Sequence, residues 1–315
     1  MNILITGGLG FIGSNFTEYV LKNTDWTVRI FDNSTDTALL EKNEDTDNNR
    51  VTIIEGDIKN KQQIENAVEG CDFVVHLAAQ VGVIESIEDP LFDAHTNVIG
   101  TINMLNACKK YAVKRVVLAS SAAPLGEQEP PVHEQKVPRP LSPYGASKLA
   151  NEAYASAFAG SYGLRTIALR FSNVYGPKST NKTSAVSKFI KQIVAGEQIT
   201  IYGDGKQTRD LIHTHDISTA IYLALTKELK NAFSLFQLGT GKETSVNTLF
   251  SLIEESCKKH GISVKPPVHE PARAGEILRN YSDISLARKE LGFEPDVSIE
   301  QGIDRTVTWF VQTAT

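Results

Sequence analysis

The first thirteen residues, Met-Asn-Ile-Leu-Ile-Thr-Gly-Gly-Leu-Gly-Phe-Ile-Gly, leave this chain few folds to adopt. Asn2 to Ile5 is a short apolar run with the length of a buried strand. Gly7, Gly10 and Gly13 follow at the spacing G-x-x-G-x-x-G. Phe11, Ile12, Phe16, Val20 and Leu21 then recur with the period of an amphipathic helix. Strand, glycine turn and helix in that order let a backbone approach a pyrophosphate closely. The helix N-terminus supplies free N–H groups and a partial positive charge. Thr27 to Phe31 reads as a second strand ending in Asp32, about 20 residues past the glycines, where an acid accepts hydrogen bonds from an adenosine ribose. A carboxylate there repels a 2′-phosphate, so the expected cofactor is NAD rather than NADP.

A chain of 315 residues accommodates one large domain, or a main domain and a smaller lobe. Formal charge is −5, from 32 basic and 37 acidic residues, and there is no basic arm or stripe. Nucleic acid is therefore not an expected partner. Cys71, Cys108 and Cys257 lie far apart with no C-x-x-C pair and no metal-ligand spacing. They read as reduced thiols, and no metal site is expected. The N-terminus enters a strand without a basic n-region, and no apolar run approaches the length of a membrane span. The expected location is the cytoplasm, with no membrane partner.

Residues 33–50 are polar and acidic, with Glu41, Glu44, Asp45 and Asp47, and read as a solvated excursion. Val51 to Glu55 reads as a third strand, followed by Gly56-Asp57-Ile58. Asp57 has two readings: an acceptor for an adenine amino group while its neighbour packs the ring, or a cap for the helix that begins near Asn60. Phe73 to His76 is a fourth strand running into Leu77-Ala78-Ala79, small residues that leave space for a ligand at a strand's carboxyl end. His76, at a buried strand end, reads as structural. Pro90 to Tyr111 carries a long helical pattern that includes Asn97. Val116 to Ala119 is a fifth strand ending at Ser120-Ser121, and the proline-rich stretch from Pro124 to Pro143 reads as a loop ordered against the body. A helix then opens at Pro143 and runs through Tyr162. Tyr144 and Lys148, at i and i+4, share one face of it. An ammonium near a phenol favours phenolate and lowers its pKa toward working pH. Ser121, at a strand end, brings a hydroxyl to the same substrate atom. Ser121, Tyr144 and Lys148 are the candidate catalytic group.

Gly7-x-x-Gly10-x-x-Gly13, Asp57, Leu77-Ala78-Ala79, Ser121 and Tyr144-x-x-x-Lys148 together resemble the extended short-chain dehydrogenases/reductases. The closer likeness is to the NAD-dependent epimerases and dehydratases of nucleotide sugars. Three further segments carry it along the chain: Arg170-Phe-Ser-Asn-Val-Tyr-Gly-Pro177, then Tyr202-Gly-Asp-Gly with Arg209-Asp-Leu-Ile-His, then Arg273-Ala-Gly-Glu276. The resemblance implies an α/β fold: a Rossmann-type doubly wound parallel sheet with a smaller C-terminal substrate-binding lobe. Residues 1–173 would form mainly the NAD-binding domain and 174–315 mainly the nucleotide-sugar lobe, with the chain crossing back at roughly 210–240. It implies cofactor contacts at Gly7, Gly10, Phe11, Ile12, Gly13, Asp32, Asn33, Asp57, Ile58, Leu77, Ala78, Ala79, Asn97, Ala119, Tyr144, Lys148 and Phe171. Asn97 would stand beside the nicotinamide end. Substrate contacts would fall to Ser121, Tyr144, Asn173, Tyr202, Arg209, Arg273 and Glu276. Among these, Tyr202 would pack the base, usually uracil, while Arg209 and Arg273 would bind the diphosphate as charge-assisted donors. The family also often forms homodimers through two helices, here around 90–111 and 143–162.

In such enzymes tyrosinate removes a proton from the sugar 4-hydroxyl while hydride passes from C4 to NAD. The 4-keto sugar is then re-reduced on its other face by an epimerase, loses water in a 4,6-dehydratase, or loses carbon dioxide in a decarboxylase. The two eliminations need extra acid/base groups near the catalytic serine. Ala122 and Ala123 follow Ser121, and neither moves a proton. A UDP-sugar 4-epimerase is therefore expected, ahead of a dehydratase, decarboxylase or reductase, with a non-catalytic NAD sensor as the remote alternative. Pro124-Leu125-Gly126 stands where Val-Tyr-Gly is common, so the loop lining the sugar is expected to be reshaped. Asn280 occupies about the position where a large aromatic excludes substituted hexoses in some relatives, which leaves room for an N-acetyl group. Lys178 and Lys182 read as exposed loop lysines, with pairing to a glucuronate carboxylate as the second reading.

Overall fold

The computed structural model describes residues 1–40, 50–272 and 278–314. Its centre is a seven-stranded parallel sheet in the order β11-β6-β5-β4-β1-β2-β3. The strands are β1 (Asn2–Thr6), β2 (Thr27–Asp32), β3 (Val51–Glu55), β4 (Phe73–His76), β5 (Arg115–Ser121), β6 (Thr166–Phe171) and β11 (Phe233–Leu238). The order reverses between β1 and β4, so the chain leaves these two paired strands toward opposite faces of the sheet and a crevice opens beyond their carboxyl ends. The inner strands read as unbroken apolar runs because helices cover both faces: Ile3, Leu4 and Ile5 are all fully buried.

On one face lie α1 (Phe11–Asn23), α8 (Thr214–Thr226) and α10 (Ser285–Leu291). Phe16 and Val20 of α1 pack there with Ile217 and Ile221 of α8. The other face is covered by α2 (Lys61–Val68), α5 (Gly100–Lys110) and α6 (Pro143–Tyr162). Asn60 caps α2, its side chain accepting from Gln62 N and Gln63 N, so Asp57 does not fill that position. The Asp57 carboxylate instead accepts from Lys59 N at 2.8 Å. Glu41, Glu44, Asp45 and Asp47 lie outside the described residues.

The segment read as one helix from Pro90 departs from that expectation in one respect. After α3 (Val83–Glu88), α4 (Pro90–Ala94) passes through a π-helical turn, His95–Ile99, before continuing as α5. The flanking dihedrals stay helical, so the axis runs on while one residue is accommodated in the bulge. That residue count rotates Asn97 into the protein, where it is buried.

A second core gathers α7 (Ala185–Val194), α9 (Val246–Lys259) and α11 (Ile299–Ala314) around Tyr175, Ile190, Ile253 and Val307. Its strands are short and paired across long sequence distances: β7 (Asn173–Tyr175) with β10 (Leu211–His213), β8 (Thr200–Tyr202) with β13 (Val268–Glu270), and β9 (Thr208–Arg209) with β12 (Thr244–Ser245). Between these pieces the chain returns to the main sheet to supply α8 and β11. Cys71, Cys108 and Cys257 are buried free thiols. No helix is long and apolar enough to cross a membrane among the described residues, and no group of side chains there could hold a metal ion.

Candidate active site

β1 delivers the chain into a turn that only glycine fits at two points. Gly7 has φ 71°, and a Cβ there would lie 2.7 Å from Ala78 N, where β4 ends. A Cβ on Gly13 would lie 2.2 Å from Gly7 O. Gly10 is the N-cap of α1, which has no side-chain cap and no acid in its first turn, so its N–H groups remain available to an anion. At the end of β2, Asp32 accepts from Leu9 N at 3.0 Å and Ser34 N at 3.1 Å, which fixes its carboxylate beside the turn. Asn33 is exposed next to it, Ile58 is buried beneath Gly100, and Leu77, Ala78 and Ala79 form the facing wall. An uncapped helix end, a glycine cradle and a ribose-reading acid fit a dinucleotide. His76, below this wall, bonds Thr6 Oγ1 at 2.7 Å and Thr101 Oγ1 at 3.0 Å. Burial, assisted by the Lys148 charge, pulls its pKa to about 3, so it is a neutral, satisfied core residue.

The catalytic candidates meet at the carboxyl end of β5. Ser142 caps α6 by accepting from Gly145 N at 3.1 Å, and Pro143 occupies the first turn. A Cβ on Gly145 would lie 2.7 Å from Ala123 O, so the helix start rests directly on the residues after Ser121. Tyr144 N donates to Ser86 Oγ at 3.1 Å. Burial pushes the Tyr144 phenol up, and a hydrogen bond with Ser121 opposes that push. One turn on, Lys148 Nζ lies 5.9 Å from the Tyr144 ring centroid and donates to Ala119 O at 3.1 Å. Burial pulls Lys148 down to about 8, with Asp93 and Glu152 acting in the other direction. Phe171 closes the end of β6 and is buried.

Two clusters hold this group in place, and of their members only Asn97 is given a site role by the sequence. Asn97 in the π-helical turn accepts from Gln80 N at 2.8 Å, and its amide donates to Gln80 O, Asp93 Oδ1 and Ser147 Oγ at 3.0–3.1 Å. It joins the loop after β4 to α4 and, through Ser147, to α6 next to Lys148. Glu152 forms a bidentate pair with Arg170 at 2.8 and 2.7 Å and accepts from Ser120 Oγ, which ties α6 to β6 and β5. A sequence signal for Glu152 exists: it stands at i+4 from Lys148 and i+8 from Tyr144, on the same inward face.

On the lobe side, Asn173 opens β7, Tyr202 ends β8 opposite Glu270, and Arg209 lies on β9, all half-buried. Asp210 next to Arg209 is buried and accepts from Thr240 N, Gly241 N and Ser282 N. That carboxylate draws the 279–282 segment over the sheet end, where Arg279 and Asn280 share a small crevice with Ala122, Leu125 and Gly126. Arg273 and Glu276 lie outside the described residues. Lys178 and Lys182 are not exposed loop lysines. Lys178 is buried in an ion pair with Glu18 of α1, and Lys182 lies over the Phe11 ring at the start of that helix. The chain packs both against α1 because the loop after β7 crosses that helix.

A parallel sheet with a dinucleotide cradle at its switch point, and a Ser-Tyr-Lys group at a neighbouring strand end with its lysine buried, defines a dinucleotide-dependent enzyme of the short-chain dehydrogenase/reductase type. The comparisons narrow this. Residues 3–239 match the NAD dependent epimerase/dehydratase family. A putative UDP-glucose 4-epimerase of Methanocaldococcus jannaschii is 38% identical over 98% of this chain and 97% of its own. A crystal structure of a UDP-glucose 4-epimerase from Thermotoga maritima with UDP-glucose superposes with a TM-score of 0.88 at 35% identity, covering 100% of both chains. A UDP-N-acetylglucosamine 4-epimerase from Methanobrevibacter ruminantium in complex with UDP-N-acetylmuramic acid does so with a TM-score of 0.89 at 33% identity, covering 99% of this chain and 98% of its own. The chain belongs to the NAD-dependent epimerase/dehydratase family, and its cofactor is NAD.

Proposed function

We infer that this protein inverts a UDP-sugar at C4 through a 4-keto intermediate. The observation that carries the reading is the pairing of a complete Ser121, Tyr144, Lys148 group with two alanines immediately after the serine. Tyr144 takes the proton from the sugar 4-hydroxyl, and Ser121 shares a hydrogen bond with the same oxygen. Lys148, pulled to about 8, stays mostly charged at neutral pH, and an ammonium one turn from Tyr144 would favour the phenolate that burial and Asp93 disfavour. Bound NAD would accept the hydride from C4 and later be the source of the hydride returned to it, so no outside oxidant or reductant is consumed. Tyr144 returns its proton once the keto sugar has turned its other face. The turn needs space and no second acid, and Ala122 and Ala123 provide the former without the latter.

The remaining assignments belong to the same reading. Residues 1–173 mainly hold NAD, and 174–315 mainly hold the nucleotide sugar. Asn173, Tyr202 and Arg209 contact the UDP moiety, with Arg273 as the second donor to its diphosphate and Glu276 as a further substrate contact. Asn280 lines the sugar crevice and leaves room for a C2 substituent. Lys178 is spent on Glu18, which leaves the glucuronate option without that partner. A homodimer would cover the exposed Leu91 and Phe92 of α4, Ile99, and Tyr154 and Tyr162 of α6.

Proton NMR of the purified protein with UDP-glucose, UDP-N-acetylglucosamine and UDP-glucuronate in turn tests the activity. One of them should give its C4 epimer without added reductant, and Tyr144→Phe should not. A 4-keto-6-deoxy or pentose product would overturn the argument from Ala122 and Ala123.

A further inference from the structure

The loop between β7 and α7 is bolted onto the helix that begins the dinucleotide cradle. Asn15 Nδ2 of α1 donates to Pro177 O at 3.1 Å. One turn along the same helix, Glu18 pairs with the buried Lys178, whose backbone is left-handed at φ 69°. Beyond these two anchors the loop is folded tightly on itself. Ser179 Oγ donates to Gly176 O at 2.7 Å, and Lys182 N donates to Ser179 O at 3.1 Å. The Lys191 ammonium of α7 holds the carbonyls of Thr180 and Lys182 at 2.9 and 3.1 Å. The result is a preformed turn that carries the Lys182 ammonium over the Phe11 ring, 5.6 Å from its centroid.

Phe11 is the first residue of α1, beside the glycine turn. Lys182 is half-buried, burial pushes its pKa below the ordinary lysine value, and no carboxylate pairs with it among the described residues. A partly desolvated cation without a counter-charge is unfavourable. The uncapped first turn of α1 likewise has N–H groups awaiting an anion. A single anion placed between them satisfies both. We propose that Lys182 binds the diphosphate of NAD from the loop side of the glycine cradle, so that residues 176–184 act as a strap retaining the cofactor. The strap leads directly into α7, the first helix of the second core, and so ties cofactor retention to that lobe.

The test is the exchange of bound NAD against excess etheno-NAD, followed by fluorescence in the purified holoenzyme, with UDP affinity measured alongside by calorimetry. Lys182→Gln should release NAD roughly tenfold faster, the size of one charge-assisted contact. Its exchange should also respond less to added salt, because a screened charge pair is gone. Lys182→Arg should exchange at the wild-type rate, and both variants should bind UDP as the wild type does. Unchanged exchange in Lys182→Gln overturns the proposal, and so does a loss of UDP affinity. So does equal acceleration in Lys182→Arg, which would make the effect one of loop packing. No sugar turnover enters the readout, so failure of the proposed epimerase activity would be seen separately.

Discussion

Around Tyr144 the polar side chains are buried and interlocked; around Tyr202 they are half-exposed and carried on strands of two or three residues. Glu152, Arg170, Asn97 and Asp93 are all nearly inaccessible, and Glu152 and Asn97 are each bonded to more than one element around the main sheet. Tyr202 and Arg209 stand at the ends of β8 and β9, and the nearby Glu243–Arg279 pair is largely open to solvent. Under the proposed function, the contrast follows from what each region has to do. Proton transfer and hydride transfer need reacting atoms held to a fraction of an ångström, so the groups that position Tyr144 and Lys148 are given no freedom. A region that admits and releases a nucleotide has to open, and elements that open come from the less stable parts of a fold.

The comparison is put at most risk by Tyr144→Phe. Removing the phenolic oxygen should lower turnover by roughly 10²–10⁴-fold, the usual worth of a general base, while NAD stays bound and the melting temperature hardly moves. Turnover comparable to wild type would mean that the rigid cluster holds something other than the reacting group.

Glu152→Ala tests the rigidity itself. It leaves the Arg170 guanidinium buried without its carboxylate, and Arg170 Nη1 already lacks a partner among the described residues. Breaking a buried pair in this way costs about 3–5 kcal/mol. That is a large share of a typical stability of about 5–15 kcal/mol. The urea midpoint should fall sharply, and Glu152→Ala combined with Arg170→Met should recover part of the loss. A single-variant loss below about 1 kcal/mol would put this pair in the same class as a surface ion pair.

Lys148→Met separates stability from chemistry. Burial disfavours the charged form, so the folded pKa of about 8 lies below the ordinary 10.5. Below about 8 the lysine is charged in both states, and the folded protein bears the whole penalty. Between about 8 and 10.5 the unfolded chain binds more protons, so wild-type stability rises with pH and the penalty fades. Lys148→Met should therefore gain most in melting temperature relative to wild type at pH 7, lose that gain toward pH 10.5, and turn over poorly throughout. A difference that does not vary with pH would mean that Lys148 is not desolvated.

The rigid half was also the legible half. The glycine turn, Asp32 and the Tyr144–Lys148 spacing are local patterns, and the fold they imply is the fold observed. What was not legible depends on contacts between distant segments. A π-helical turn leaves the apolar periodicity of 90–111 intact, so nothing in that stretch marks Asn97 as buried. Lys178 and Lys182 look solvated because the α1 residues that receive them, Glu18 and Phe11, are remote in sequence. Asp57 and Asn60 are equally good caps by residue type, and only the backbone path selects Asn60. In the lobe, β8, β9 and β10 each find a partner through long-range pairing, which short strands do not announce.

Arg279→Ala carries the smallest expected effect and tests the other side of the contrast. Arg279 meets Glu243 in a two-point pair at 3.0 and 2.7 Å, the same geometry that Arg170 makes with Glu152. The difference is solvent: the Arg279 side chain is 56% exposed, and that of Arg170 is 2% exposed. Water and salt screen the outer pair, and when it is broken water takes over both partners. The substitution should move the urea midpoint far less than Glu152→Ala does, and the effect should shrink in high salt. Glu243 also accepts from Thr208 Oγ1 at 2.6 Å, so it keeps a partner when the arginine is gone. If Arg279→Ala proved as damaging as Glu152→Ala, burial would not be what distinguishes the two regions, and the lobe would have to be regarded as built to the same tolerance as the catalytic half.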